Sequence, residues 1–242
     1  MEKNYFYCPE EWMNKPIRIL VLGAGGSGSE VTENLIRTHF ALINTGHEYG
    51  LDVTLMDADV VSESNIGRQR FAPCDVGQFK SAVLIHRANI AYGLDWRAIN
   101  EYLTEETSLR SYDIVMGCVD KGHTRSIIKN SITSKDTLYM DFGNGRKTAQ
   151  LIFGHVHGQG NNKLTLPNVM DFYPELEDMV EDDEPSCSLS ESLSKQDLMI
   201  NKVISSLGIN LLWELLHEGK IKHHGYYVDL GKGIVNPIGI VG

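Results

Sequence analysis

Residues Ile17 to Gly28 read IRILVLGAGGSG, and this stretch restricts the fold more than any other. Ile17 to Leu22 is an apolar run rich in β-branched residues, the pattern of a buried parallel strand. Gly23, Gly25 and Gly28 then fit GxGxxG, with Gly26 as a fourth glycine. In such a turn the first glycine allows the tight bend and the second lets a phosphate approach the backbone. The third lets the helix pack closely on the strand. The helix expected next, residues 27–43, would aim its N-terminal N–H groups at an anion. A glycine-rich turn with no ligand satisfies the same pattern. The P-loop spacing GxxxxGK[ST] is absent from the sequence.

The second informative stretch is DADVVSESNIGRQR, Asp57 to Arg70. Asp57 ends the next apolar run, DVTLMD, where an acidic residue accepts hydrogen bonds from ribose hydroxyls. The gap from Gly28 to Asp57 exceeds the usual dinucleotide spacing of roughly 20 residues. The loop Asn44 to Gly50 supplies the excess, so an NAD or FAD oxidoreductase stays open at this point. Arg68, Arg70 and Lys80 argue against it. They are expected beyond the carboxyl end of the strand, where ligands bind in open α/β sheets. A nicotinamide needs no such cations, whereas a triphosphate losing pyrophosphate does, because charge develops on the leaving group. Taken singly, each arginine also fits a solvated surface position.

GAGGSG, DADVVSESNIGRQR, DVGQFK at Asp75–Lys80 and CVDKGHTR at Cys118–Arg125 occur in this order. Together they resemble the ThiF/MoeB/HesA superfamily, the enzymes related to ubiquitin-activating enzyme. The motifs run from Ile17 to Arg125, and a looser likeness extends to about Leu216. The segment PSCSLSESLSKQDLMINKVISSLGINLLWELL is similar to the ThiF-like branch of the plasmid-associated PRTRC system. The resemblance implies a Rossmann-like, mostly parallel sheet with helices on both faces. It also implies ATP-dependent adenylation of the C-terminal carboxylate of a small ubiquitin-like (β-grasp) carrier protein. By the same resemblance Gly23, Gly25, Gly26, Gly28, Asp57 and Asp59 belong to the nucleotide site. Asn65, Arg68, Gln69 and Lys80 contact the phosphates or the transition state. Asp120 holds Mg2+, and Arg125 matches a family arginine behind it. Asp120 follows the apolar run YDIVMGCV, so it also fits an aspartate capping the next helix. A homodimer is implied too. In several relatives a basic residue near the N-terminus crosses that dimer to the phosphates, but here the first sixteen residues hold only Lys3 and Lys15 as cations. Arg18, Arg70 or a lysine is left to fill the role. A catalytically inactive ThiF-like adapter is the remaining alternative, opposed by retention of the whole residue set.

Cys187, in PSCS, stands where the resemblance expects a cysteine that takes the carrier as a thioester. Its place before a helix favours the thiolate. Seven carboxylates within residues 175–184 act the other way, and a plain loop cysteine fits as well. Cys118 lies in an apolar strand and reads as core. The four cysteines have no short pair spacing, which argues against a disulfide framework or a CxxC zinc site and for a reducing cytoplasm. A net charge of −10 argues against broad nucleic-acid binding. No apolar stretch approaches the roughly 20 residues needed to span a membrane, and the polar N-terminus has no signal-peptide pattern.

At 242 residues the chain reads as one adenylating domain, 1–242, with a crossover segment at 154–194. Strands are expected at 17–22, 52–57, 96–101, 112–118, 137–142 and 148–153, and helices at 27–43, 75–92, 123–133 and 195–217. The short connection between the last two strands makes them antiparallel. A further strand is expected at GYYVDLG. His155 and His157 share a strand face but lack an evident third metal ligand. His223 and His224 read as surface residues. The helix over 195–217 is apolar on several faces, so it is packed deeply or lies at a subunit interface.

Overall fold

The structure is a computed structural model describing residues 5–119, 122–158, 164–177 and 196–241. Its centre is an eight-stranded sheet. The strands are β2 (Ile17–Leu22), β3 (Leu51–Met56), β4 (Arg97–Ile99), β5 (Ile114–Gly117), β6 (Leu138–Asn144), β7 (Thr148–His155), β9 (His223–Asp229) and β10 (Ile234–Gly239). Their order is β10-β9-β7-β6-β5-β2-β3-β4. Strands β4, β3, β2, β5 and β6 are mutually parallel. Strands β7, β9 and β10 continue the sheet in antiparallel pairs. Two short strands, β1 (Phe6–Tyr7) and β8 (Lys220–Ile221), form a separate antiparallel pair.

The helices are α1 (Gly26–Asn44), α2 (Lys80–Tyr92), α3 (Gly122–Ser131), α4 (Val169–Phe172) and α5 (Ile200–Glu218). Helices α1, α2 and α5 cover one face of the sheet, packing Val31, Leu35, Leu84, Ile204 and Leu212 with Ile19, Val21, Val53 and Leu55. Helices α3 and α4 cover the other face, where Ile128, Ile132, Val169 and Met170 meet Leu20, Leu22, Val115 and Tyr139. Strand β2 is therefore apolar on both sides, which explains its unbroken run. Burial on both faces is what the expected α/β fold class requires, and the sheet has it.

Several boundaries differ from the sequence expectation. Helix α2 starts at Lys80 rather than residue 75. Pro73–Asp75 forms a 3-10 turn, and Gly77 follows with φ +84. The Asp75 carboxylate accepts from Ala72 N at 2.7 Å and pairs with Arg87 at 2.7 Å, fixing the loop before the helix. Lys80 is therefore the first helical residue. Strands β1, β8 and β10 were not expected. β10 contains Pro237, which sequence rules confine to an edge, and at the sheet's edge it lies. The expected crossover loop 154–194 contains more order than foreseen where it is described: the Asn168 side chain accepts from Met170 N and caps α4.

Helix α5 is packed deeply. Ile200, Ile204, Leu211, Leu212 and Leu215 are fully buried inside the chain, so the homodimer now rests on family resemblance alone. Phe142 lies where a Cβ at Gly208 would sit, 2.5 Å from its ring.

The histidines also depart from expectation. His224 is buried, not on the surface, and its Nδ1 pairs with Phe153 O at 2.9 Å. His155 is buried as well, and its Nδ1 accepts from Leu166 N at 3.0 Å, which requires the neutral ring. His157 turns to Ile132 O. Among the described residues no group of three His, Cys, Asp or Glu could hold a metal. No helix there is long and apolar enough to cross a membrane.

A buried ion pair joins α3 to β6. Arg125 Nε donates to Asp141 Oδ2 at 2.8 Å, and Tyr139 O–H donates to the same oxygen at 2.7 Å. Arg125 also donates to Val119 O at 2.8 Å. Asp141 is wholly buried.

Two stability predictions follow from these buried polar groups. Burial pushes the pKa values of His155 and His224 down. Below about pH 6.5 the unfolded chain then binds more protons than the folded one, so stability falls as pH drops. Each histidine contributes a slope of at most about 1.4 kcal/mol per pH unit. Burial lowers His39 and His223 in the same direction, so urea unfolding between pH 7.5 and 5.5 should show the decline and His155→Gln with His224→Gln should make it shallower; a flat wild-type profile contradicts the reading. Asp141→Asn breaks the buried pair and should cost about 3–5 kcal/mol. An unchanged urea midpoint would show that Arg125 needs no carboxylate there.

Candidate active site

The strand order reverses beside β2: the chain goes out to β3 and β4, then returns across β2 to β5. Open α/β sheets bind ligands outside the carboxyl ends of the strands at such a point. The glycine turn sits in that crevice. Gly23 adopts φ +90, and a Cβ on it would lie 2.7 Å from Cys118 O, at the end of β5. A Cβ at Gly28 would collide with the Gly23 carbonyl oxygen. Strand and helix thus approach as closely as backbone allows. A Cβ at Gly25 would meet nothing within 4 Å, which leaves room for a phosphate.

Helix α1 begins without a side-chain cap and without an acidic residue in its first turn. Its leading N–H groups are thereby presented to an anion, with the positive end of the helix dipole behind them. Gly26 also has a packing role. A Cβ there would overlap the Asn201 amide, so Gly26 admits α5 onto α1.

Asp57 stands just past the end of β3. Its Oδ2 accepts from Ala24 N at 2.5 Å and its Oδ1 from Asp59 N at 2.7 Å. Burial pushes its pKa up, while those two N–H groups oppose the shift. The carboxylate is thus fixed against the glycine turn, as a ribose acceptor at that position requires. Lys80 is buried, and its Nζ pairs with Asp59 Oδ2 at 2.8 Å. The backbone repeats the link, since Lys80 N donates to Asp59 O at 2.9 Å.

One neighbour was missed in the sequence. Tyr102, beyond β4, donates its O–H to Asp59 Oδ1 at 2.7 Å. That hydrogen bond, more than any other effect, pushes its hydroxyl up to about 12. Its signal in the sequence is nil: a lone exposed tyrosine follows no motif.

The second group gathers around the far end of the expected cluster. Asn65 Oδ1 accepts from Ser62 N at 2.9 Å, closing the turn Glu63–Asn65. Gln69 N donates to Asn65 O at 3.0 Å. Arg68 Nη1 donates to Gln196 Oε1 at 2.7 Å. Gln196 in turn donates to Asn144 Oδ1 at 3.2 Å and accepts from Asn201 Nδ2 at 3.3 Å. Asn201 Oδ1 takes Asn144 Nδ2 and, at 3.1 Å, Ser27 Oγ. Amides from β6 and α5 thus link Arg68 to the first turn of α1. Gln196, Asn144 and Asn201 carry no local sequence signal.

The structure splits the expected arginine pair. Arg70 turns away to Glu30 at 3.1 Å and Glu33 at 3.9 Å on the flank of α1. Lys15 and Arg18 pair with Asp113 at 2.6 and 3.3 Å. Asp113 precedes β5, and Arg18 opens β2, so this pair lies at the opposite end of the sheet from the glycine turn. Within the chain, neither lysine nor arginine there reaches the crevice. Burial pushes the Cys118 thiol well up, which agrees with a core cysteine. Asp120 and Cys187 lie outside the described residues.

Comparison with known proteins agrees with this geometry. Residues 13–212 match the ThiF family. Over 117 residues the chain is 29% identical to the ATP-dependent ubiquitin transferase-like protein Cap2 of Enterobacter hormaechei subsp. hoffmannii (strain UCI 50), covering 46% of this chain and 18% of Cap2. The fold superposes on a crystal structure of selenomethionine PaaA with a TM-score of 0.61 at 13% identity, covering 92% of this chain and 64% of PaaA. It superposes on E. coli MccB with ATP at a TM-score of 0.56 and 14% identity, covering 93% of this chain and 64% of MccB. The chain thus spans under one fifth of Cap2 and under two thirds of the other two. With its motifs in order around one crevice and most of its length matched, the chain belongs to the ThiF family.

Proposed function

We propose that the protein adenylates a carboxylate with ATP, and that the carboxylate is the C-terminus of a small ubiquitin-like carrier. The observation that carries the reading is the uncapped first turn of α1, with Asp57 and Lys80 held beside it at the switch point of a ThiF-family sheet. The ATP named with MccB and the ubiquitin transferase-like description of Cap2 support it.

In this reaction a carboxylate oxygen attacks the α-phosphorus. A new P–O bond forms as the bond to the β-phosphate oxygen breaks, and pyrophosphate leaves with the electron pair. Positioning and charge neutralisation supply most of the catalysis in such transfers. In our reading Asp57 holds the ribose, and the α1 N–H groups receive a phosphate. Lys80, Arg68, Asn65 and Gln69 balance the charge as pyrophosphate departs. A cleft of about 570 Å³ opens beside Asn144, lined also by Gln150, Tyr173 and Tyr227, and gives the acceptor carboxylate a route to the crevice. Magnesium belongs to the proposal through Asp120, where it would neutralise phosphate charge. The chain is read as one adenylating unit of the PRTRC branch, and a neighbouring reading frame for a β-grasp protein ending in glycine would support that assignment.

The first test needs no carrier. ATP with magnesium should raise the melting temperature and NAD should not, because a ligand that binds only the native state stabilises it. Stabilisation by NAD alone would sink the proposal. With the carrier present, ATP–pyrophosphate exchange should appear. Removing one charge-stabilising group by Arg68→Ala or Asp120→Ala should lower it by about 10²–10³; wild-type exchange would take that residue out of the site.

A thioester at Cys187 is the second step proposed. Cys187→Ala should keep exchange and lose a reductant-sensitive enzyme–carrier adduct on a gel. An adduct that persists in the variant would make Cys187 a loop residue only.

A further inference from the structure

Tyr102 stands beside the proposed nucleotide crevice, and no motif accounts for it. Two thirds of it is exposed, so its ring adds little to the core. Its hydroxyl is nonetheless committed to Asp59, at 2.7 Å. The other oxygen of Asp59 carries the Lys80 ion pair at 2.8 Å. Three separate elements meet in this chain of contacts: the loop after β4, the loop after β3 and the first residue of α2. The connection from β4 is tied down nearby as well, because Asn100 Oδ1 accepts from Ser81 Oγ at 2.8 Å in the next residue of α2.

We infer that Tyr102 is a positioning residue for Lys80, acting through Asp59; the inference rests on the ATP-dependent reading of this site. The physical argument has two parts. Asp59 has a half-exposed side chain, 47% accessible, whereas that of Lys80 is 9% accessible. Without the Tyr102 contact, a half-exposed carboxylate follows the ammonium more readily when a phosphate draws it. Anchored by Tyr102 from the other side, it stays, and the ammonium turns about a fixed oxygen. The second part is charge. A neutral O–H donating to a carboxylate spreads its negative charge without competing for the cation, which loosens the ion pair enough for Lys80 to be shared with a triphosphate. The hydroxyl is the right donor for this, since its titration is displaced to about 12 and it keeps its proton throughout the neutral range.

The test is a double-mutant cycle read as ATP–Mg affinity by calorimetry, with no carrier present. Tyr102→Phe removes only the hydroxyl. It should weaken ATP binding about five-fold or more, as expected for a hydrogen bond to a charged group. The melting temperature of the ligand-free variant should stay within about 1 °C, since an exposed site contributes little to stability. In a Lys80→Met background, Tyr102→Phe should change nothing further, because its effect passes through the lysine. A second measurement needs no nucleotide: acetylation of Lys80 by acetic anhydride, followed by mass spectrometry, should slow in Tyr102→Phe, because the released carboxylate follows the ammonium and holds its charge more tightly. Unchanged ATP affinity in Tyr102→Phe overturns the inference, as does an equal loss in both backgrounds, which would mean direct contact with the nucleotide. If Lys80→Met binds too weakly to measure, the acetylation rate decides, and an unchanged or faster rate counts against. A wild-type protein that binds no ATP would overturn the functional reading itself, which is a separate result from a Tyr102→Phe variant that binds ATP normally.

Discussion

The close approach of α1 to the end of β2 governs the site. Backbone meets backbone there: the Gly28 Cα lies where any Cβ would strike the Gly23 carbonyl oxygen, and Gly23 leaves the same lack of space against Cys118 O. The two contacts fix where the helix starts relative to strands β2 and β5. They do so through backbone alone, and no side chain caps the first N–H groups of α1. A side-chain cap in place of Gly25 would stabilise the helix by about a few tenths of a kcal/mol. Its absence at α1 leaves that stabilisation to be made good by the packing of α1 under α5 and by whatever anion binds.

The packing of α5 on α1 is polar at its most sensitive point. Asn201 is almost wholly buried and occupies the space that Gly26 leaves free. Its amide joins Ser27, Asn144 and Gln196, and Ser205 Oγ donates to Ser27 O at 3.1 Å from the next turn of the same helix. Buried polar groups of this kind are tolerated only when satisfied, and a satisfied network fixes one arrangement. Here it sets the register of the last helix against the phosphate-binding turn. Because Gln196 also holds Arg68, the same network positions a cation proposed to face pyrophosphate. The apolar remainder of α5 then fills the sheet face, which accounts for its hydrophobicity without a subunit interface.

What was legible in the sequence follows from the range of the forces involved. The parallel strands were legible because two-sided burial leaves an unbroken apolar run. The glycine turn was legible because its backbone geometry admits few residues. Asp57 was legible because it follows a strand directly. The fate of the cations was not. Arg68 and Arg70 are two positions apart yet take partners on different elements, Gln196 and Glu30. Nothing local distinguishes them. The sequence predicts a helix over 75–92 with Lys80 inside it, but Gly77 and the Asp75–Arg87 pair delay the helix to Lys80 itself. His224 was misjudged because a polar side chain near a terminus usually faces water; here β9 lies between β7 and β10, and a single hydrogen bond to Phe153 O satisfies the ring inside. The edge strand β10 was hidden by Pro237, whose presence argues against a strand in the interior but not at an edge.

Charge makes the last connection. The chain carries a formal net charge of −10, and the proposed ligand is a polyanion. Long-range attraction therefore does not bring ATP to this protein, and association depends on short-range groups in the crevice. The cations differ in how they are held. Lys80 has a carboxylate partner, so its charge is partly balanced before ligand arrives. The Arg68 contact to Gln196 is to an amide oxygen, which orients a guanidinium fork. The two modes suit different tasks. A lysine exchanged between carboxylate and phosphate adjusts to a changing number of negative oxygens, while an arginine oriented by an amide stays aimed at one place. The first accommodates substrate binding and product release, and the second suits a leaving group whose charge appears only as the bond breaks.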